Sequence, residues 1–88
     1  MEKVVFRLTP REREVAHLVA KGFTAKRIAN ELGAATRTID MHIRNIMTKT
    51  NSRNRVHMMV LLIVSGTVII EINDVLIQST IEVDDYWD

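Results

Sequence analysis

The sequence predicts a mainly α fold, four short helices followed by a C-terminal β-hairpin-like extension. Three observations predict it. Apolar residues recur at helical spacing in four successive segments, punctuated by Gly22, Gly33, Asn51 and Gly66. Beyond Gly66 the period changes to runs of β-branched residues around a turn-like Asn73-Asp74. A chain of 88 residues has room for one modest core and no second folding unit. The reading therefore divides the chain into a helical domain over 1–66 and an acidic, β-prone extension over 67–88.

Thr9-Pro10-Arg11-Glu12 opens the first helix. Thr9 is its cap, Pro10 suits the first helical position, and Glu12 completes a capping box. Phe6 and Leu8 precede the cap and staple the entry. Val15, Leu18 and Val19 make one buried stripe, and Gly22 ends the helix in a left-handed conformation. Thr24 caps a second helix over 24–32, about two residues further on. Ile28, Ala29 and Leu32 face its core side, and Gly33 ends it.

The third helix is expected over 36–50. Ile39, Ile43, Ile46 and Met47 form a narrow core face. The opposite face carries Arg37, Met41, Arg44 and Thr48, with Thr38 and Asn45 beside them and Asp40 and Lys49 at the two edges. Asn51 is the expected left-handed stop. A fourth helix is expected over 53–64. Met58, Met59 and Leu62 make one apolar stripe, and His57, Val60, Leu61 and Val64 make a second. A helix apolar on two sides must be covered on two sides. In so small a domain the second cover is another chain or the extension. Residues 67–72 and 75–83 read as the two strands of a hairpin, which alone is marginal in water and needs a partner surface.

The formal net charge of +1 conceals a division along the chain. Residues 1–55 hold all 12 Lys and Arg against five acids, whereas residues 56–88 hold six acids and no Lys or Arg. Such asymmetry points to a basic working surface and an acidic tail. Other functions are poorly supported. The absence of cysteine removes disulfides, thiolate metal sites and thiol nucleophiles. No secretory signal and no apolar run of membrane-spanning length occur. The three glycines stand apart, so there is no phosphate-cradling loop, and the three histidines lack partners at metal-ligand spacing. No nucleophile–base pair or paired carboxylates suggest an enzyme, and no cofactor is expected. His42 reads as a structural residue at the core edge, where it packs and hydrogen-bonds.

Two helices joined by the tight turn Gly33-Ala34-Ala35, the second with a basic outer face, describe a helix-turn-helix. In that motif the second helix enters the major groove and meets base edges, and surrounding positive charge supplies phosphate affinity. Three runs then carry a family resemblance. They are Leu8-Thr-Pro-Arg-Glu-Arg-Glu-Val15, Gly22-Phe-Thr-Ala-Lys26-Arg-Ile28-Ala29, and Thr38-Ile-Asp-Met-His42-Ile-Arg-Asn45-Ile46-Met-Thr-Lys49 with Arg55. Over about residues 8–66 the chain closely resembles the LuxR/FixJ/NarL-type (GerE-like) DNA-binding domain. A sigma-factor region-4-like domain shares the opening, but the run from His42 to Lys49 and Arg55 favour the LuxR type.

The resemblance implies a four-helix domain whose third helix reads double-stranded DNA and whose fourth makes a homodimer. It implies a stand-alone form, with only seven residues ahead of the match, and a cytoplasmic bacterial or phage-encoded regulator with no membrane association. It places Thr24 as a helix-capping hydroxyl, Lys26 and Lys49 at the DNA backbone, Thr38 at a phosphate, and Met41 and Arg44 at bases. Arg27, Arg37, Asp40 and Asn45 complete the expected DNA-binding set, and His57, Val60, Leu61 and Val64 the expected dimer interface. Three positions depart from the family pattern. Asp40 replaces a Lys or other polar residue, Ala35 replaces a capping Ser, and Thr50-Asn51-Ser52 replaces Leu-Gly-Val. Asp40 repels phosphate but can accept a hydrogen bond from cytosine N4. The alternative is an anti-activator or interaction module that pairs with a related regulator or RNA polymerase through the fourth helix and acidic tail. The tail itself has three readings, a strand pair completing the dimer, an autoinhibitory cover of the basic face, or a docking edge for another protein.

Overall fold

The computed structural model describes residues 5–69, which form four helices, α1 (Pro10–Ala20), α2 (Ala25–Leu32), α3 (Thr36–Thr50) and α4 (Arg55–Val64). Their ends follow from local hydrogen bonding. At α1 the Glu12 N–H donates to the Thr9 hydroxyl (3.1 Å) and the Thr9 N–H donates to the Glu12 carboxylate (2.8 Å), the expected capping box. The other end closes as a Schellman motif. Gly22 N–H donates to the Val19 carbonyl (2.9 Å) and Phe23 N–H to the Leu18 carbonyl (3.1 Å). The connection to α2 therefore spans residues 21–24, longer than the two residues expected, because Ala20 is the last helical residue and Thr24 only caps.

The turn from α2 to α3 is made by Gly33, at φ +64°. A Cβ there would meet nothing within 4 Å, so glycine is needed for its backbone conformation and not for space. The Ala34 N–H reaches back to the Ala29 carbonyl at 2.9 Å. Ala35 occupies the cap position of α3 with extended backbone but offers no side-chain acceptor. Ala35→Ser should supply one to the first-turn N–H groups, raising stability by about 1 kcal/mol. A thermal unfolding curve should then move up by about 4–8 °C. At the far end Asn51 takes the expected left-handed conformation, φ 52°.

The fourth helix starts at Arg55, not at residue 53 as its apolar pattern suggests. The cause is Asn54, whose side chain accepts the His57 N–H at 2.9 Å and fixes the cap there, while Arg53 N–H donates to the His57 ring nitrogen at 3.1 Å.

One core joins all four helices. Val15, Ala16 and Val19 from α1, Ile28 and Ala29 from α2, Ile39, Ile43 and Ile46 from α3, and Met58 and Leu62 from α4 are buried together with Leu8. Leu18, Leu32, Met47 and Met59, expected on core faces, are half-buried at its edge. The core also takes Val68, two residues beyond the boundary read at 66; the Val68 N–H donates to the Leu62 carbonyl at 3.0 Å. Residues 67–69 thus turn back over the helices and form no strand, which corrects the expected start of the hairpin at 67. The described residues contain no strand at all. The remainder of the expected hairpin, 70–83, lies outside them. No helix among the described residues is long and apolar enough to cross a membrane.

Candidate nucleic-acid interface

Ile39, Ile43 and Ile46 fix the rotation of α3. All three are buried, which turns the opposite side of the helix to solvent. That side presents Arg37, Asp40, Met41, Arg44, Asn45 and Thr48, all exposed, with Thr38 half-buried at the margin. The phase expected from the sequence is therefore the phase observed. Met41 is 54% exposed. Keeping a methionine in water serves no packing purpose within the domain, and its thioether is free to meet an apolar group from outside. Asp40 stands one turn from both Arg37 and Arg44 on the helix, yet forms an ion pair with neither. Both guanidinium groups are thus available to an acceptor outside the chain.

The flanking cations are held differently. Lys26 is exposed in the first turn of α2. Thr24 caps that helix, its hydroxyl accepting the Arg27 N–H at 3.2 Å, which agrees with the capping role. The guanidinium carbon of Arg27 lies over the Phe23 ring, 3.7 Å from its centroid, a cation–π contact. Arg55 ties the start of α4 to the same loop by donating to the Phe23 carbonyl at 3.1 Å. Sequence reasoning saw Arg55 only as part of a motif. Its partner lies 32 residues away, and no local spacing signals it.

Lys49 is the residue whose setting differs most from the expectation. Its ammonium donates to the Glu12 carboxylate at 2.6 Å and bridges the end of α3 to the capping box of α1. The Glu12 side chain is only 5% exposed, that of Lys49 39%. Burial raises the pKa of Glu12. The hydrogen bond from Lys49, the Thr9 backbone N–H, the Lys49 charge and the Thr9 hydroxyl outweigh that effect, and the carboxyl titrates below its ordinary value. An ammonium has three donors, so Lys49 can hold Glu12 with one and offer another outward.

On α4, Met58 and Leu62 point into the core and Met59 is half-buried. Of the residues expected at a second interface, Val60 and Val64 are exposed, whereas His57 and Leu61 are half-buried. The exposed apolar stripe also includes Val56 and Ile63. Residues 56, 60, 63 and 64 fall at i, i+4, i+7 and i+8, so the outward face is turned by roughly 65° from the one expected, at 100° per residue. The spacing was present in the sequence, but where the helix turns its two sides is set by the core it packs on. His42 is half-buried at the core edge and makes no hydrogen bond among the described residues. No three potential metal-ligating side chains come together there.

Comparison with known proteins agrees with this architecture. A family model described as bacterial regulatory proteins, luxR family, matches residues 7–62. The nitrate/nitrite response regulator protein NarP of Escherichia coli K12 is 45% identical over 49 residues, covering 56% of this chain and 23% of that protein. The tetrathionate response regulatory protein TtrR of Salmonella typhimurium is 50% identical over 42 residues, covering 48% and 20%. The transcriptional regulatory protein UhpA of Escherichia coli K12 is 43% identical over 51 residues, covering 58% and 26%. The matched segment thus spans about a quarter or less of these relatives.

Proposed function

The chain belongs to the luxR family of bacterial regulatory proteins, and on that premise we propose that it is a sequence-specific DNA-binding transcription regulator, acting as a homodimer with α3 in the major groove. The observation that carries this reading is the outward face of α3, where Arg37, Met41 and Arg44 stand exposed and uncommitted on a helix locked from behind. Each side chain then has a chemical task. A guanidinium matches the O6 and N7 acceptors of guanine, Met41 suits a thymine methyl, and Asp40 accepts from cytosine N4. Asn45 offers an amide to a base edge or phosphate. Lys26, Arg27, Thr38 and the free donors of Lys49 address phosphates, which fix register without reading sequence. The basic majority over residues 1–55 supplies the salt-dependent part of the affinity. The protein would work in the cytoplasm, where its DNA is.

Selection from random duplexes followed by binding at graded salt tests this reading. An enriched, roughly palindromic site and affinity that falls with salt are expected. Absence of duplex binding at low salt ends it.

The exposed stripe of α4 supports pairing of two copies, since Val56, Val60, Ile63 and Val64 have no cover among the described residues. Val60→Glu should place a charge in that contact and shift the protein from dimer to monomer by light scattering. Its DNA affinity should fall with it. The same stripe also suits a related regulator, the second reading. A Val60→Glu protein that stays dimeric, or a complex with such a partner that survives Arg44→Ala and breaks on Val60→Glu, would favour the interaction module.

A further inference from the structure

The outer side of α1 along its whole length, the end of α2 and Ile69 line a groove of about 780 Å³ that the proposed DNA-reading face does not use. Leu18, Leu32 and Ile69 give it an apolar lining, and Arg13 and Lys21 give it positive charge. Two acids also line it. Glu14 is held by Arg11 at 3.2 Å, which leaves Glu31 as the one groove acid without an ion pair among the described residues. Ile69, the last residue described, lies in the wall of this groove, and residues 70–88 follow it in the chain. The position of Ile69 is fixed from behind, because Val68 is buried and its N–H donates to the Leu62 carbonyl.

We propose that the groove is the docking site of the chain's own C-terminal segment, residues 70–88. The sequence of that segment matches the groove chemically. It holds six acids and no Lys or Arg, and it begins Ile70-Glu71-Ile72. Extended, it turns Ile70 and Ile72 to one side and Glu71 to the other, an apolar edge for Leu18 and Leu32 and a carboxylate for Arg13 and Lys21. Reach is ample. α1 is about 16 Å long at 1.5 Å per residue, a span of about five extended residues, and 19 residues follow Ile69. A tail seated here leaves the outward stripe of α4 to a second copy. The two apolar surfaces of the domain thereby receive different occupants.

The chain has no cysteine, so Gln78→Cys carries a single nitroxide on the full-length protein. Amide signals of Arg13, His17, Lys21 and Leu32 should be lost to paramagnetic broadening, while those of Val56, Val60 and Val64 remain. A mixture of isotope-labelled, unspun chains with unlabelled, spin-labelled chains should show no such loss. Loss in the mixture would seat the tail on another copy and overturn the proposal. So would loss at α4 in place of the groove, or no loss at either surface. The Arg13→Glu, Lys21→Glu double substitution should restore the groove signals; broadening that persists in it removes the charge match on which the proposal stands.

Discussion

Arg44→Ala is expected to weaken binding to the selected DNA site by about 1–3 kcal/mol per protomer, hence about 2–6 kcal/mol for a homodimer with one Arg44 in each half-site. The fold should be untouched, because Arg44 is exposed and its side chain makes no contact that closes the core. The conservative variant separates two roles for the same residue. Lysine keeps the charge but loses the planar pair of donors that fits guanine. If Arg44 reads a base, Arg44→Lys should lower discrimination between the selected site and a site altered at that base. It should leave non-specific affinity and its salt dependence near those of the parent. If Arg44 instead holds a phosphate, Arg44→Lys should behave almost as the parent, and Arg44→Ala should reduce the salt slope by about one per protomer without altering sequence preference. Titrations by fluorescence anisotropy at several salt concentrations distinguish these outcomes.

The second large effect concerns the bridge between Glu12 and Lys49. Glu12→Ala removes a capping-box acceptor and an ion pair together, and should destabilise the domain by about 2 kcal/mol. That corresponds to a fall of about 8–16 °C in Tm for a domain of this size. Glu12→Gln keeps an oxygen for the Thr9 N–H and loses the charge, so it should cost about half as much. The ion-pair share is modest because the Lys49 side chain is 39% exposed and its charge is partly screened. Acid dependence follows from the direction of the shift. The folded pKa of Glu12 lies below its ordinary value, so its contribution is fully present above the ordinary carboxylate range and disappears as pH falls through the folded pKa. Chemical denaturation across that window should show the parent losing stability relative to Glu12→Gln. Parallel curves would mean that the carboxylate charge contributes nothing.

These two residues also show how unevenly the sequence speaks. The capping box was legible because Thr9 and Glu12 are three residues apart and the spacing itself makes the bond. The same holds for Thr24 ahead of α2, for Gly33 at the turn, and for Asn51 as a left-handed stop. The outward face of α3 was legible for a related reason. Ile39, Ile43 and Ile46 recur at helical period, and burying them dictates that Arg37, Met41 and Arg44 turn outward. The basic–acidic division of the chain needed only counting.

Contacts between distant segments were not legible. Lys49 finds Glu12 across 37 residues, and Arg55 finds the Phe23 carbonyl across 32. Both partners are ordinary charged or backbone groups that any neighbour could have supplied. The outward stripe of α4 belongs with them. Its sequence is apolar on nearly every side, so periodicity alone cannot choose which residues turn inward. Packing of Met58 and Leu62 on the other helices makes that choice. In the same way β-branched residues 67–69 promised a strand, and packing on the helices, with the Val68 N–H bonded to the Leu62 carbonyl, takes Val68 into the core. The sequence by itself determined the four helices, the caps at Thr9 and Thr24 and the outward face of α3, because those depend on bonds and periods within a few residues. Tertiary structure decided which charges pair, which side of α4 stays exposed and that Val68 joins the core, because those depend on which surfaces meet once the helices pack.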